Sequence, residues 1–221
     1  MQSKNLRWMA LFAVSMAYFE SAVVVYLRRL YNIDDLMISK PLLEPQIGAI
    51  EIGREAASLI MLLAVGWAAG KRFQSRLGFS LFAFGIWDIF YYLWLRIFIG
   101  WPGSVMDPDI LFYIPLPWWG PVLAPVLIAT LMIVAGIYAV NKEDKGIPMH
   151  AGPFDWGALA GGLGLMLYAF MADALKALPA DTLTLHTLRP EQFNWPVFLV
   201  GLGLAGVFVW RMARPKLEKK R

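Results

Sequence analysis

Six apolar stretches, at about 8–27, 47–70, 77–100, 118–140, 156–178 and 195–213, divide this chain. Each is close to the roughly 20 residues a helix needs to cross about 30 Å of hydrocarbon. Backbone in lipid must satisfy its own hydrogen bonds, so apolar runs of this length are read as helices. Composition agrees: 59% of the 221 residues are hydrophobic and 16% charged, against about 45–50% and about 25% in a soluble domain. The expected fold is all-α, a polytopic integral membrane protein. Residues 1–221 form a single transmembrane domain, a six-transmembrane-helix bundle. The first stretch, behind Lys4 and Arg7, is too long for a signal-peptide core. It carries Glu20 and lacks a small-x-small cleavage site before Arg28 and Arg29, so it reads as a retained span.

Lysine and arginine placement orients the bundle. With the N-terminus inside, the inner segments carry Lys4, Arg7, Lys71, Arg72, Arg76, Lys142 and Lys145. The tail Arg211, Arg214, Lys216, Lys219, Lys220 and Arg221 lies on the same side. The outer segments and span ends carry fewer: Arg28, Arg29, Lys40, Arg96, Lys176 and Arg189. Both termini are therefore expected in the cytoplasm, with the protein in a bacterial inner (plasma) membrane. The formal charge of +4 is explained by these bases and by anionic lipid; nucleic acid is not an expected partner. Zero cysteines exclude disulfides, thiolate metal sites and cysteine nucleophiles.

Spans two and three are joined by the tight basic turn 71–76 and should form an antiparallel hairpin. The outer link 101–117 and the residues after it hold Pro102, Pro108, Pro115, Pro117 and Pro121 with Trp101, Trp118 and Trp119. Proline prevents a regular helix here, and tryptophan favours the interface. A Pro/Trp-rich outer cap, surface-lying or re-entrant, is expected. Gly66 with Gly70, and Gly157 with Gly161, have GxxxG spacing, and Gly162, Gly164, Gly201, Gly203 and Gly206 add smooth faces. Close packing of spans five and six follows. No repeat relates the two halves, which disfavours an inverted-repeat transporter.

Ionisable residues inside a bilayer are expensive and usually face a cavity or a partner. The spans hold Glu20, Glu51, Arg54, Glu55, Asp88, Arg96, Asp173 and Lys176. At the helical rise, Glu20 lies roughly 10 Å below the outer end of its span, Glu55 about 13 Å and Asp88 about 18 Å, with Glu51 and Asp173 near 7 Å. Four spans thus bring acids to overlapping depths. Glu51, Arg54, Glu55 and Ser58 share one helix face at i, i+3, i+4, i+7. Arg54 can pair with Glu51 or Glu55, or reach Asp88 across the hairpin. Asp88, Tyr91, Tyr92 and Arg96 form a second stripe, flanked by Trp87 and Trp94.

The acids outnumber Arg54, so either a carboxyl holds its proton or a cation binds among them. The candidate ligand- or ion-binding residues are Glu20, Glu51, Arg54, Glu55, Asp88, Tyr91, Tyr92 and Trp87; the catalytic candidates are Glu55, Asp88 and Glu20. Glu51, Glu55 and His186 are weak metal candidates, and the Glu-x-x-His pairs of di-iron bundles are absent. Haem is disfavoured because His150 and His186 fall on opposite sides. Asp173 and Lys176 have the spacing of a retinal lysine and its counter-ion, but a lysine near a helix end snorkels.

No nucleotide-binding loop, paired-Asp prenyltransferase motif, zinc-protease helix or nucleophile elbow is present, so no cofactor is indicated and whether the chain is an enzyme stays open. Three functions fit. The first is an outward-facing pocket that binds or moves a small cation or proton-coupled solute. The second is an enzyme whose protonated carboxyl acts as general acid on a lipophilic small molecule, isoprenoid- or lipid-like. The third is a non-catalytic subunit of a larger membrane complex or a homo-oligomer, in which the charges only join helices. The inner half of every span is nearly free of charge, which weighs against transport.

Overall fold

The computed structural model describes residues 2–31, 45–112, 116–179 and 192–214. After a turn of 3-10 helix (Gln2–Lys4), six long helices follow: α1 (Asn5–Tyr31), α2 (Pro45–Ala69), α3 (Phe73–Ile99), α4 (Leu123–Asp144), α5 (Pro153–Ala177) and α6 (Trp195–Ala213). Between α3 and α4 lies a small ribbon of β1 (Pro108–Ile110) and β2 (Trp119–Pro121). Five helices, α1, α3, α4, α5 and α6, are long and apolar enough to cross a membrane. The chain is an integral membrane protein of helical class. The exception, α2, has 25 residues, about 37 Å of helix, and carries Glu51, Arg54 and Glu55 in its first half.

The central helix is α3, packed against α1, α2 and α4; α5 and α6 pair with each other and join the rest through α4. One apolar core gathers Met9, Ala13, Ala17, Leu62, Phe79, Phe82 and Val140 from α1 to α4. A second gathers Ala124, Met166, Phe170, Phe198 and Ala205 from α4 to α6. Glycine sets the closest approaches. A Cβ on Gly201 would stand 2.7 Å from the Gly162 carbonyl oxygen, and one on Gly85 would stand 2.4 Å from that of Ala129. The expected close packing of the last two helices is present, but through Gly162 and Gly201. Gly157, Gly164, Gly203 and Gly206 meet nothing, and Gly161 barely touches Leu204. Gly66 and Gly70 serve the hairpin, pressed on Ser80 and Arg76 of α3.

The basic end of the bundle is knotted by hydrogen bonds. Glu143 accepts from the Ser75 backbone and hydroxyl, both at 2.8 Å, and from Gln2 Nε2 at 3.0 Å. Asp144 accepts from the backbone N–H of Gln2 and Ser3 at 2.7 and 2.8 Å. Gln2 Oε1 accepts from Lys71 N–H at 2.8 Å. Lys142 donates to the carbonyls of Met212 and Arg214, ending α6, and Arg211 pairs with Asp155. Each helix end has unpaired backbone groups; here side chains from other helices take several of them.

The opposite end is capped by the ribbon, whose register pairs Pro108 with Pro121, Asp109 with Gly120 and Ile110 with Trp119. Bonds from Leu111 N–H to Trp118 O and from Val122 N–H to Asp107 O extend the pairing on either side. The fourth helix therefore begins at Leu123 and not at 118, because Trp118 to Pro121 are taken by this pairing. The cap folds onto the bundle: Trp119, Pro121 and Val122 are buried, and Gly120 lies against Phe170 of α5.

Candidate functional site

At the capped end a cavity of about 270 Å³ is lined by α1, α2, α3, α4, the ribbon and Phe170 of α5. Glu20, Glu51, Arg54, Glu55, Trp87, Asp88, Tyr91 and Tyr92 all line it. Their convergence has a simple geometric origin. Measured from the observed helix ends, Glu20, Glu55 and Asp88 lie about 15–17 Å from the capped ends of α1, α2 and α3. The spread expected from the sequence narrows because the observed helices end at other residues than the apolar stretches did.

Arg54 is the hub of an ion-pair triad. It pairs with Glu20 of α1 and with Glu51 one turn back on α2, the latter also through Nε at 2.9 Å. Ser58 donates to Glu20 at 2.9 Å. Glu20 is 7% exposed, so its charge needs these partners. Of the three partners the sequence offered Arg54, Glu51 is taken, while Glu55 and Asp88 form no ion pair with it. Glu20 reaches the guanidinium first, because α1 also flanks α3 and turns residue 20 towards α2.

Glu55 and Asp88 are left over. Neither forms a hydrogen bond or ion pair with a described residue, and both face the cavity. Aromatic rings surround them: Trp87, Tyr91 and Tyr92 form a chain of ring contacts with centroids 5.2–6.4 Å apart. The indole N–H groups of Trp87 and Trp118 are buried without a hydrogen-bond partner among the described residues, and both residues line the cavity.

The sequence reading missed Asp109, which comes from the ribbon and is 6% exposed. Tyr92 donates to its Oδ2 at 2.8 Å, pinning the cap about 10 Å below the capped end of α3. Burial pushes the Asp109 carboxyl up to about 6, opposed by the Tyr92 hydroxyl, by the Ile110 N–H and by the Arg28 charge. Asp88, Tyr91 and Tyr92 of α3 and Arg28 of α1 are the ionisable groups that act on it or respond to it. The one available signal was an acid between Pro108 and Ile110 in an apolar loop, two residues from Asp107.

A carboxyl raised in the folded state binds its proton there more tightly than in the unfolded chain. Its contribution to stability therefore falls as pH rises from about 4 to 6, and is level above that. Asp109→Asn should flatten this part of the curve of thermal unfolding midpoint against pH. An unchanged slope between pH 4 and 6 would show that Asp109 does not titrate there.

Two sequence candidates lie elsewhere. Arg96 is exposed and donates to the Gly100 and Pro102 carbonyls, which takes it out of the Asp88 stripe. Asp173 pairs with Lys176 at 3.2 Å beside a separate hollow with Tyr168 and Asn194. Acids from three helices and the ribbon, not from four spans, thus share the site. His186 lies outside the described residues. Among those described, no group of three or more His, Cys, Asp or Glu is placed to hold a metal ion; Glu51 is engaged by Arg54 instead. No family model matches this chain, no curated protein matches its sequence, and no solved structure matches it.

Proposed function

We propose that this protein is a six-span membrane protein, one transmembrane domain with both termini cytoplasmic, whose outward-facing pocket binds a small cation. On this reading α2 also crosses, its charges shielded by Glu20 and the cavity. The knotted end carries Lys4, Arg7, Lys71, Arg72, Arg76, Lys142 and Lys145, which supports placing it in the cytoplasm.

The observation that carries the binding reading is the pair of unpartnered carboxyls, Glu55 and Asp88, facing a ring-lined cavity. Five carboxyl groups (Glu20, Glu51, Glu55, Asp88 and Asp109) meet one guanidinium in its lining. A bound cation offsets the surplus, and the faces of Trp87, Tyr91 and Tyr92 add attraction for it. Beneath the cavity the core of Leu62, Phe79, Phe82 and Ala83 is buried and apolar. That favours holding a ligand over conducting it.

A thermal-shift screen of the purified protein against inorganic and organic cations, each paired with a neutral compound of the same shape, tests this. Cations should raise the unfolding midpoint and their neutral counterparts should not; equal shifts would overturn the reading. For orientation, the chain's lack of cysteine makes labelling clean. Lys145→Cys and Ser104→Cys, both at exposed positions, should react with an impermeant thiol reagent from opposite sides of intact cells. Outside labelling of Lys145→Cys would invert the topology.

A further inference from the structure

The cavity has two poles. Glu20, Glu55 and Asp88 form one, and Leu111, Pro125, Ile128 and Phe170 form the other. Its walls do not close evenly. Both α2 and α4 line it, yet α2 packs on α3 and lightly on α1, and among the described residues no packed interface joins α2 to α4 or α5. On the six-span reading, an opening at this level, about 15 Å in from the helix ends, faces acyl chains and not water. Leu59, Ile60, Met61 and Leu63, on the faces of α2 turned away from the bundle, are exposed, as a helix bathed in lipid on several sides requires. The direct path from the aqueous side is covered by the ribbon, with Asp109 bonded to Tyr92 and Gly120 seated on Phe170.

Resting on the cation-pocket reading, we infer that the occupant is an amphiphilic amine, a cationic headgroup on an apolar tail, which reaches the cavity sideways from the outer leaflet between α2 and α4. The ammonium meets Glu55 and Asp88, and the tail lies along Ile128 and Phe170. The indole N–H of Trp87, next to Asp88 on α3, has no hydrogen-bond partner among the described residues, and a hydroxyl near the amine supplies an acceptor. A long-chain amino alcohol has all three parts.

Three probes separate the contributions: N-dodecylethanolamine (head and tail), ethanolamine (head alone) and 1-dodecanol (tail alone). Each is titrated into the protein in phosphatidylcholine nanodiscs, with the unfolding midpoint as readout. N-dodecylethanolamine should stabilise at concentrations about tenfold or more below ethanolamine, since burying a methylene chain adds affinity, and 1-dodecanol should have no effect. Ile128→Trp, which fills the apolar pole, should weaken N-dodecylethanolamine and leave ethanolamine unchanged; if it does not fold, Leu111→Trp asks the same question from the ribbon. Ethanolamine as potent as N-dodecylethanolamine would overturn the amphiphile and its lateral route while the cation pocket stands. Equal potency of 1-dodecanol would sink the cation pocket itself. No response to N-dodecylethanolamine overturns the inference, and the cation screen then decides the pocket separately.

Discussion

Arg54→Leu is expected to lower the stability of the detergent-solubilised protein by about 3–5 kcal/mol, the usual result of removing one half of a buried ion pair. The loss arises because Glu20, 7% exposed, would keep, among the described residues, only Ser58 as a hydrogen-bond partner. Its carboxylate would then stand desolvated inside the bundle. The geometry names the rescuing change. Glu20→Gln in the Arg54→Leu background should recover much of the loss, whereas Asp88→Asn should recover little, because Asp88 is not paired with Arg54. Thermal melts of the two double variants decide the matter. Equal rescue by both would mean that the charges act as a diffuse field and not as the Glu20–Arg54–Glu51 triad.

The second large effect runs the other way. Glu55→Gln combined with Asp88→Asn should leave the unfolding midpoint unchanged or higher, since it neutralises two carboxyls that form no hydrogen bond or ion pair with a described residue. Cation binding should nevertheless fall by about 100-fold or more. Each substitution turns a charged acceptor into a neutral amide, and a close charge pair contributes roughly 1.5 kcal/mol or more. Stability kept and binding lost is the signature of a site. Binding kept in the double variant would assign these acids to structure alone and favour the subunit reading.

The intramembrane charges were legible because their cost in lipid makes them conspicuous, and because Glu51, Arg54, Glu55 and Ser58 declare one face by spacing alone. The level at which Glu20, Glu55 and Asp88 meet was legible only in outline, since it depends on where helices end. The choice of Glu20 over Asp88 as partner of Arg54 was not legible. It turns on the rotation of α1 about its axis, and no single-helix periodicity encodes that. Asp109 and Trp118 escaped for a different reason. They sit in a proline-broken segment where neither the helical nor the strand period applies, and their placement comes from pairing between residues 108–110 and 119–121. The glycine contacts show the same limit: spacing marked Gly157 and Gly161, while register across the interface selected Gly162 and Gly201.

The knot of Gln2, Ser75, Glu143 and Asp144 has a mechanical consequence for the far end of the molecule. It fixes the start of the chain, the α2–α3 turn and the end of α4 to one another, so any tilt of α2 is largest at its other end. The bundle is a peg with its spring at the basic end and its jaws at the ribbon. Glu20, Glu55 and Asp88 stand about 21–23 Å from that pivot, so a tilt of about 5° in α2 moves Glu55 by about 2 Å. Small rotations at the fulcrum, too slight to disturb the hydrogen bonds there, are enough to widen or narrow the space between α2 and α4.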